Sequence, residues 1–358
     1  MRVAFVGCTH GDLDAIYEEI RNRDVADIQH TELLICPGDF QACRDASDMR
    51  DMKMPEKYRE MKDFGRYYRG EVVAPILTLF VGGNHEASGH LLELPHGGWV
   101  APNIYYMGRM GVVRLPSGLS VAGLSGIYKP YDYNRGYVER APLTEKDKVS
   151  VLHVRRFAAD VLSSYPHPVD ILVTHDWPSG IEQHGDLETL LKQKPFFRQD
   201  IERGELGSPA AHQCMVALRP QLHSAAHLHV RFEAKFDHQE STTNFLALDK
   251  PGRRRSFLEI RELTPRAPPL SPWPESSLAI DSSWVDVIKA CLPATPHTQM
   301  ARFSLPDLLQ PTDSGPSWGT APPPASESTH QQTLWFRRQA GLDPEEKSEE
   351  IDMDQFLF

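Results

Sequence analysis

No apolar run in this chain approaches the ~20 residues that a bilayer-spanning helix requires. The N-terminus, MRVAFVGCTH, turns polar after a few apolar residues and reads as the start of a strand rather than a secretory leader. Five cysteines in 358 residues (Cys8, Cys36, Cys43, Cys214, Cys291) are too few, and odd in number, for a disulfide framework. A reducing compartment, cytosol or nucleus, is therefore expected. A basic excess, the usual footprint of a nucleic-acid binder, is also missing: net charge is −11. That acidity is uneven, since residues 261–358 carry −7 of it and include DPEEKSEEIDMD. Charge alone excludes little here, because local basic patches and metals can neutralise phosphates. There is no internal repeat.

What is present is enough apolar residue, 40% of the chain, to build a substantial core. Short apolar runs recur at Val3–Val6, Leu33–Cys36, Ile76–Val81, Val121–Leu124 and Ile171–Thr174, and each has the length of a strand. Between them, residues 12–23 place Leu13, Ile16, Tyr17 and Ile20 on one face of a helix, and residues 149–164 form a second helix candidate. Alternation early and glycine-rich hairpin-like pieces later predict an α/β fold: a β-sandwich flanked by helices. Beyond about residue 262 the texture changes, with thirteen prolines in 265–324. Long helices and central strands are excluded there. Two islands, 282–292 and 333–343, read as short helices docking on the body. The expected organisation is a catalytic body over 1–262 and a Pro-rich, acidic, partly ordered extension over 263–358.

Five polar clusters interrupt this pattern: GCTHG (7–11), GDFQ (38–41), GGNHE (82–86), THDW (174–177) and AHLH (226–229). Four follow strand-like runs, and the fifth follows the weaker run LHSA. In open α/β sheets, sites gather beyond the carboxyl ends of strands, so distant clusters can converge. Their candidate ligands include a thiol, the Asp39 carboxylate, an asparagine amide and five histidines, more than one four-coordinate metal takes. Two metals sharing a bridge fit better, with Asp39 the natural bridge. Each cluster alone has an ordinary explanation, such as a turn, a surface histidine or a small buried cysteine. Only the ordered set points to a metal site.

The set resembles the calcineurin-like metallophosphoesterase superfamily, whose pattern runs D-x-H, G-D, G-N-H-[DE], His, G-H-x-H. Within it, longer strings are similar to the RNA lariat debranching family: GGNHEASGHLLELPHGGWVAPNIYYMG (82–108), SGIYKPYDY (125–133), HDWP (175–178), FFRQDIERGELGSPAA (196–211) and AHLHVRF (226–232). Cys8 stands where the superfamily carries its first Asp, and agrees with that family. The resemblance implies two divalent metal ions (Fe, Zn or Mn). One would be held by Cys8, His10, Asp39 and His229, the other by Asp39, Asn84, His175 and His227. His85 would be the general acid, since an imidazole can hold and give a proton near neutral pH; an orienting role is the alternative. Asp176 would either orient a ligand or cap a helix. The implied substrate is branched lariat RNA, hydrolysed at its 2′–5′ phosphodiester by two-metal-assisted in-line attack of hydroxide. No DNA or membrane partner is expected.

A recognition loop would lie near 125–140, with Tyr128, Lys129, Tyr131, Tyr133 and Arg135 offering rings for bases and cations for phosphates; a plain surface loop packed on the body is the other reading. The implied substrate points to the nucleus, with shuttling to the cytoplasm left open. Two rival functions share parts of the pattern. A phosphoprotein or nucleotide phosphohydrolase is disfavoured by the long strings and by Cys8. A metal-free scaffold is disfavoured because Cys8, His10, Asp39, Asn84, His85, His175, His227 and His229 are all chemically competent.

Overall fold

The computed structural model describes residues 1–54, 57, 59–269, 278–291 and 328–340. Among the described residues thirteen strands form two sheets. The first contains β1 (Arg2–Val6), β2 (Leu33–Cys36), β3 (Leu77–Phe80), β4 (Gly98–Ala101), β5 (Ile104–Tyr106) and β12 (Leu258–Glu262), in the order β12-β1-β2-β3-β5-β4. The second contains β6 (Met110–Arg114), β7 (Ser120–Leu124), β8 (Ile171–Thr174), β9 (Leu222–Ala225), β10 (Phe232–Asp237), β11 (Thr242–Ala247) and β13 (Ala279–Ile280), in the order β10-β11-β9-β8-β7-β6-β13.

The central strands run parallel: β1, β2, β3 and β5 in one sheet, and β7, β8, β9 and β11 in the other. Parallel strands covered on both faces are apolar throughout, which is why they were visible as unbroken runs. Side chains alternate across each strand. Val3, Phe5, Leu33, Ile35, Leu79, Val121, Ile171 and Val173 fill the space between the sheets. Ala4, Val6, Leu34 and Cys36 point the other way, onto Leu13, Ile16, Tyr17 and Ile20 of helix Leu13–Asp27. Helices Arg156–Ser163 and Pro209–Leu218 cover the outer face of the second sheet with Ala158, Val161, Leu162, Cys214 and Leu218. The result is the helix-flanked sandwich expected from the sequence.

The helix expected over 149–164 is broken. Asp147–Ser150 and Arg156–Ser163 are separate, because His153 and Arg155 are drawn aside by buried carboxylates. The imidazole of His153 donates to Asp132 at 2.6 Å, and the Arg155 guanidinium donates to Glu139 at 2.6 Å. These charge-assisted bonds outweigh helix continuity over the five residues 151–155.

Both islands of the extension are helical where described. Helix Ser282–Cys291 buries Trp284, Val287 and Ile288 against helix Arg156–Ser163 and the second sheet. Asp281, at its start, forms a buried ion pair with Arg114 of β6. The second helix runs Thr329–Gln339, four residues earlier than the sequence reading, because Ser328 and Gln331 form a capping box. Residues 341–343 of that island lie outside the described residues, as does most of the Pro-rich stretch. Gln332 donates to the Trp99 carbonyl at 2.9 Å and accepts from its N–H at 2.7 Å, pairing the exposed edge of β4. No helix among the described residues is long and apolar enough to cross a membrane.

Candidate metal centre

All five clusters sit at carboxyl ends of strands: Cys8 and His10 after β1, Asp39 after β2, Asn84 after β3, His175 after β8, and His227 and His229 after β9. Because the two sheets stack, these ends meet. Ligand atoms of Cys8, His10, Asp39 and His229 all lie within 4.8 Å of one another. His10 Nε2 is 3.1 Å from His229 Nε2 and 3.9 Å from Asp39 Oδ2. On the other side, His175 Nε2 lies 3.3 Å from Asp39 Oδ1 and 3.2 Å from Asn84 Oδ1. The His227 ring stands 4.9 Å from that of His175. Asp39 thus turns Oδ2 toward His10 and Oδ1 toward His175.

The backbone is bent hard to do this. His10, Asp39, His227 and His229 all have positive φ (47°, 51°, 61° and 48°), a region non-glycine residues avoid. Each such residue costs about 1–3 kcal/mol and persists only where surroundings enforce it. Glu86 is one enforcer that the sequence reading quoted without a role. Its buried carboxylate accepts N–H bonds from Phe40 and Gln41 at 2.8 Å and from Gly83 at 2.9 Å, tying two ligand loops together. Burial, reinforced by the nearby Asp39 charge, pushes its carboxyl up to about 8 against these three bonds. His175 is oriented by donating from Nδ1 to the Pro37 carbonyl at 2.7 Å, the outer contact that fixes a ligating imidazole.

The donor chemistry fits divalent cations. Burial holds His10, His175 and His229 below the usual imidazole value, His229 at about 3, which favours the neutral form that can ligate. Burial opposes the charge of Asp39, yet His175, His10, His85 and His227 hold it far below the normal carboxylate range. Burial and then Asp39 push the Cys8 thiol well up, so ligation there would displace a proton. Its sulfur meanwhile accepts from the His227 N–H at 3.1 Å. His85 donates its main-chain N–H to Asp39 at 2.8 Å, and its buried Nδ1 has no hydrogen-bond partner among the described residues.

Asp176 caps no helix: the next helical turn, Ile181–His184, begins beyond Gly180. Instead it accepts the Tyr128 N–H at 2.6 Å and stands 3.5 Å from His227 Nε2, joining the 125–140 segment to the centre. Within that segment Pro130–Tyr133 is a short helix. Tyr131 is 67% exposed. Tyr128 meets Tyr133 edge-on at 5.2 Å, Tyr133 packs against the core, and Arg135 is held by Asp132 at 2.6 Å. Tyr128, Lys129 and Tyr131 are the members left to face a ligand.

A two-sheet sandwich with histidine, aspartate and asparagine gathered at its strand ends defines the calcineurin-like class of phosphoesterases. The family model described as calcineurin-like phosphoesterase matches residues 1–231. A second, the C-terminal domain of lariat debranching enzyme, matches residues 240–335. The lariat debranching enzyme of Schizosaccharomyces pombe is 39% identical over 389 residues, covering 86% of this chain and 82% of its own. That of Arabidopsis thaliana is 44% identical over 293 residues (81% and 68%), and that of Danio rerio 46% over 296 residues (81% and 51%). The chain spans about half the length of the vertebrate relatives it matches. The chain belongs to the lariat debranching enzyme family. Calcineurin-like phosphoesterases imply divalent metal ions, which agrees with the donor set here.

Proposed function

We propose that this chain is a metal-dependent phosphodiesterase that hydrolyses the 2′–5′ bond at the branch point of excised intron lariat RNA. The observation that carries the reading is Asp39, which turns Oδ2 toward His10, grouped with Cys8 and His229, and Oδ1 toward His175, which meets Asn84 and the His227 ring. Two divalent ions, drawn from Fe, Zn and Mn, would be held by these residues. When bound, they would activate water for in-line attack and neutralise charge on the phosphoryl oxygens. The thiolate of Cys8 favours the softer members of that set.

His85 stands over the centre, its ring 5.8 Å from that of His10. It acts as the general acid, handing a proton to the departing 2′-oxygen. The phosphorus–2′-oxygen bond breaks, a hydroxyl from water joins phosphorus, and linear RNA with a 5′-phosphate and a free 2′-hydroxyl results. Tyr128, Lys129 and Tyr131 receive the RNA beside His227 through the Asp176 link, with Tyr133 and Arg135 bracing them from behind. Residues 1–262 form the catalytic unit, and helices Ser282–Cys291 and Thr329–Gln339 of the extension 263–358 cover part of its outer face and one sheet edge. The implied substrate supports action in the nucleus, with shuttling to the cytoplasm left open.

The test is incubation of the purified, metal-loaded chain with a synthetic RNA bearing one 2′–5′ branch, beside a linear RNA, a phosphoprotein and a dinucleoside polyphosphate. Cleavage of the branched RNA alone, with the ends named above, is expected. An intact branch under conditions where another of these substrates turns over would overturn the proposal.

A further inference from the structure

The turn after β11, Leu248–Phe257, lies against the first ligand loop. Gly7 donates its N–H to the Phe257 carbonyl at 3.1 Å. A Cβ at Gly7 would meet the Asp249 and Leu248 carbonyl oxygens at 2.1 and 2.5 Å, so the two segments touch backbone to backbone. The turn is also stapled from within. Arg255 grips both oxygens of Asp249 at 2.7 and 2.8 Å, and the Lys250 N–H donates to the same carboxylate at 2.8 Å. The neighbouring carboxylate is therefore committed to Arg255. Among the described residues, no ion pair or side-chain hydrogen bond engages the Lys250 ammonium, although the residue is half-buried. Gly7 adjoins Cys8, so the turn that carries Lys250 stands on the Cys8–His229 side of the centre.

A half-buried cation beside a site that gathers metal cations is unfavourable unless an anion joins them. A phosphate of the substrate is such an anion. The opposite flank carries a counterpart: Lys129 follows Tyr128, whose N–H is held by Asp176 facing His227. The segments that carry the two lysines therefore approach the centre from different flanks, one beside Cys8, the other beside His227. A branched RNA leaves a cleavage site in more than one direction, so cations are wanted on more than one flank. Lysine is a compact point charge suited to phosphate rather than to base edges.

We propose that Lys250 is a substrate-binding residue that contacts a phosphate of the RNA arm leaving the centre on its Cys8–His229 side. This rests on branched RNA being the substrate. The experiment measures fluorescence anisotropy of a labelled branched RNA on metal-loaded His85→Ala protein, which binds without turnover, with and without Lys250→Ala, from low to high salt. Loss of one phosphate contact should raise Kd about tenfold at low salt. It should also make the slope of log Kd against log salt shallower by about 0.7. Lys250→Arg should restore both, with metal content and Tm unchanged. An unchanged Kd, or a raised Kd with an unchanged salt slope, overturns the proposal, the latter marking a merely structural role. Cleavage of the branched RNA by the protein with native His85 is measured in parallel. If that protein leaves the branch intact, the substrate assignment is what has failed.

Discussion

Gly83→Ala should disable the centre by steric displacement, without loss of any ligand. A Cβ at position 83 would stand 2.3 Å from Asp39 Oδ1, 2.4 Å from its amide nitrogen and 2.7 Å from His175 Cε1. Real Cβ atoms essentially never approach closer than 3.0 Å, so Asp39 must move by roughly 0.7 Å. It has little room to do so. Asp39 is 1% exposed, has a φ of 51°, and accepts the His85 N–H at 2.8 Å. His175 is confined too, since a Cβ at Gly38 would lie 2.3 Å from its Nδ1. A misplacement near 1 Å costs about 100-fold in rate, or ~2.7 kcal/mol of barrier. Gly83→Ala is therefore expected to lower kcat/KM on branched RNA by about 30- to 100-fold and to reduce bound metal. Gly83 does not have a positive φ, so the substitution adds no left-handed backbone strain to confuse the result. Single-turnover cleavage with metal quantification by mass spectrometry reads both effects. Activity within about threefold of the parent, at full metal content, would refute the claim that Asp39 is held between these glycines in its working position.

Cys8→Asp should shift the bound metals toward Mn and Mg and depress activity with Zn or Fe, because a carboxylate is harder than a thiolate; an unchanged metal profile would remove Cys8 from the ligand set. Asp281→Ala should destabilise the fold by about 3–5 kcal/mol, or roughly 10 °C in Tm, because Arg114 is left charged in a site where it is 4% exposed. Arg114→Met with Asp281→Leu should recover most of that loss, and equal melting of the single and double variants would mean packing rather than charge governs this contact. His96 stacks on Phe336 of the last described helix at 4.6 Å, and burial, then Arg109 and Arg337, lower it to about 3 from 6.5. Its neutral form belongs to the folded state, so its contribution is complete above pH 6.5 and declines as pH falls toward 3. Limited proteolysis between pH 7 and 4 should show this helix releasing earlier than in His96→Phe, and identical pH profiles for the two proteins would contradict the assignment.

Much of the fold was legible along the chain because both faces of each sheet are covered. Continuous burial turns Val3–Val6, Leu33–Cys36 and Ile171–Thr174 into unbroken apolar runs, and one-sided burial gives helix Leu13–Asp27 its stripe. The clusters of the candidate centre were legible for a related reason. Glycines and polar residues crowd where a strand ends and the backbone must bend sharply, and those ends carry Cys8, Asp39, Asn84 and His175. Three features were not legible. The break between Ser150 and Arg156 depends on Asp132 and Glu139, which lie in another segment. Asp176 takes its role from Tyr128, 48 residues earlier, and from His227. Lys250 sits in a turn that reads as ordinary surface until Gly7 is seen beneath it.

Local pattern along the chain was enough to show which residues could be buried, where strands end and which ligand-type side chains stand there, because periodicity and backbone chemistry are written within a few residues. Only the tertiary structure decided that Asp39 turns one oxygen toward His10 and the other toward His175, and that Asp176, Glu86 and Lys250 stand around that centre. Those relations join segments dozens to hundreds of residues apart. They are set by the stacking of two sheets, and local pattern carries no information about which distant strand ends will meet.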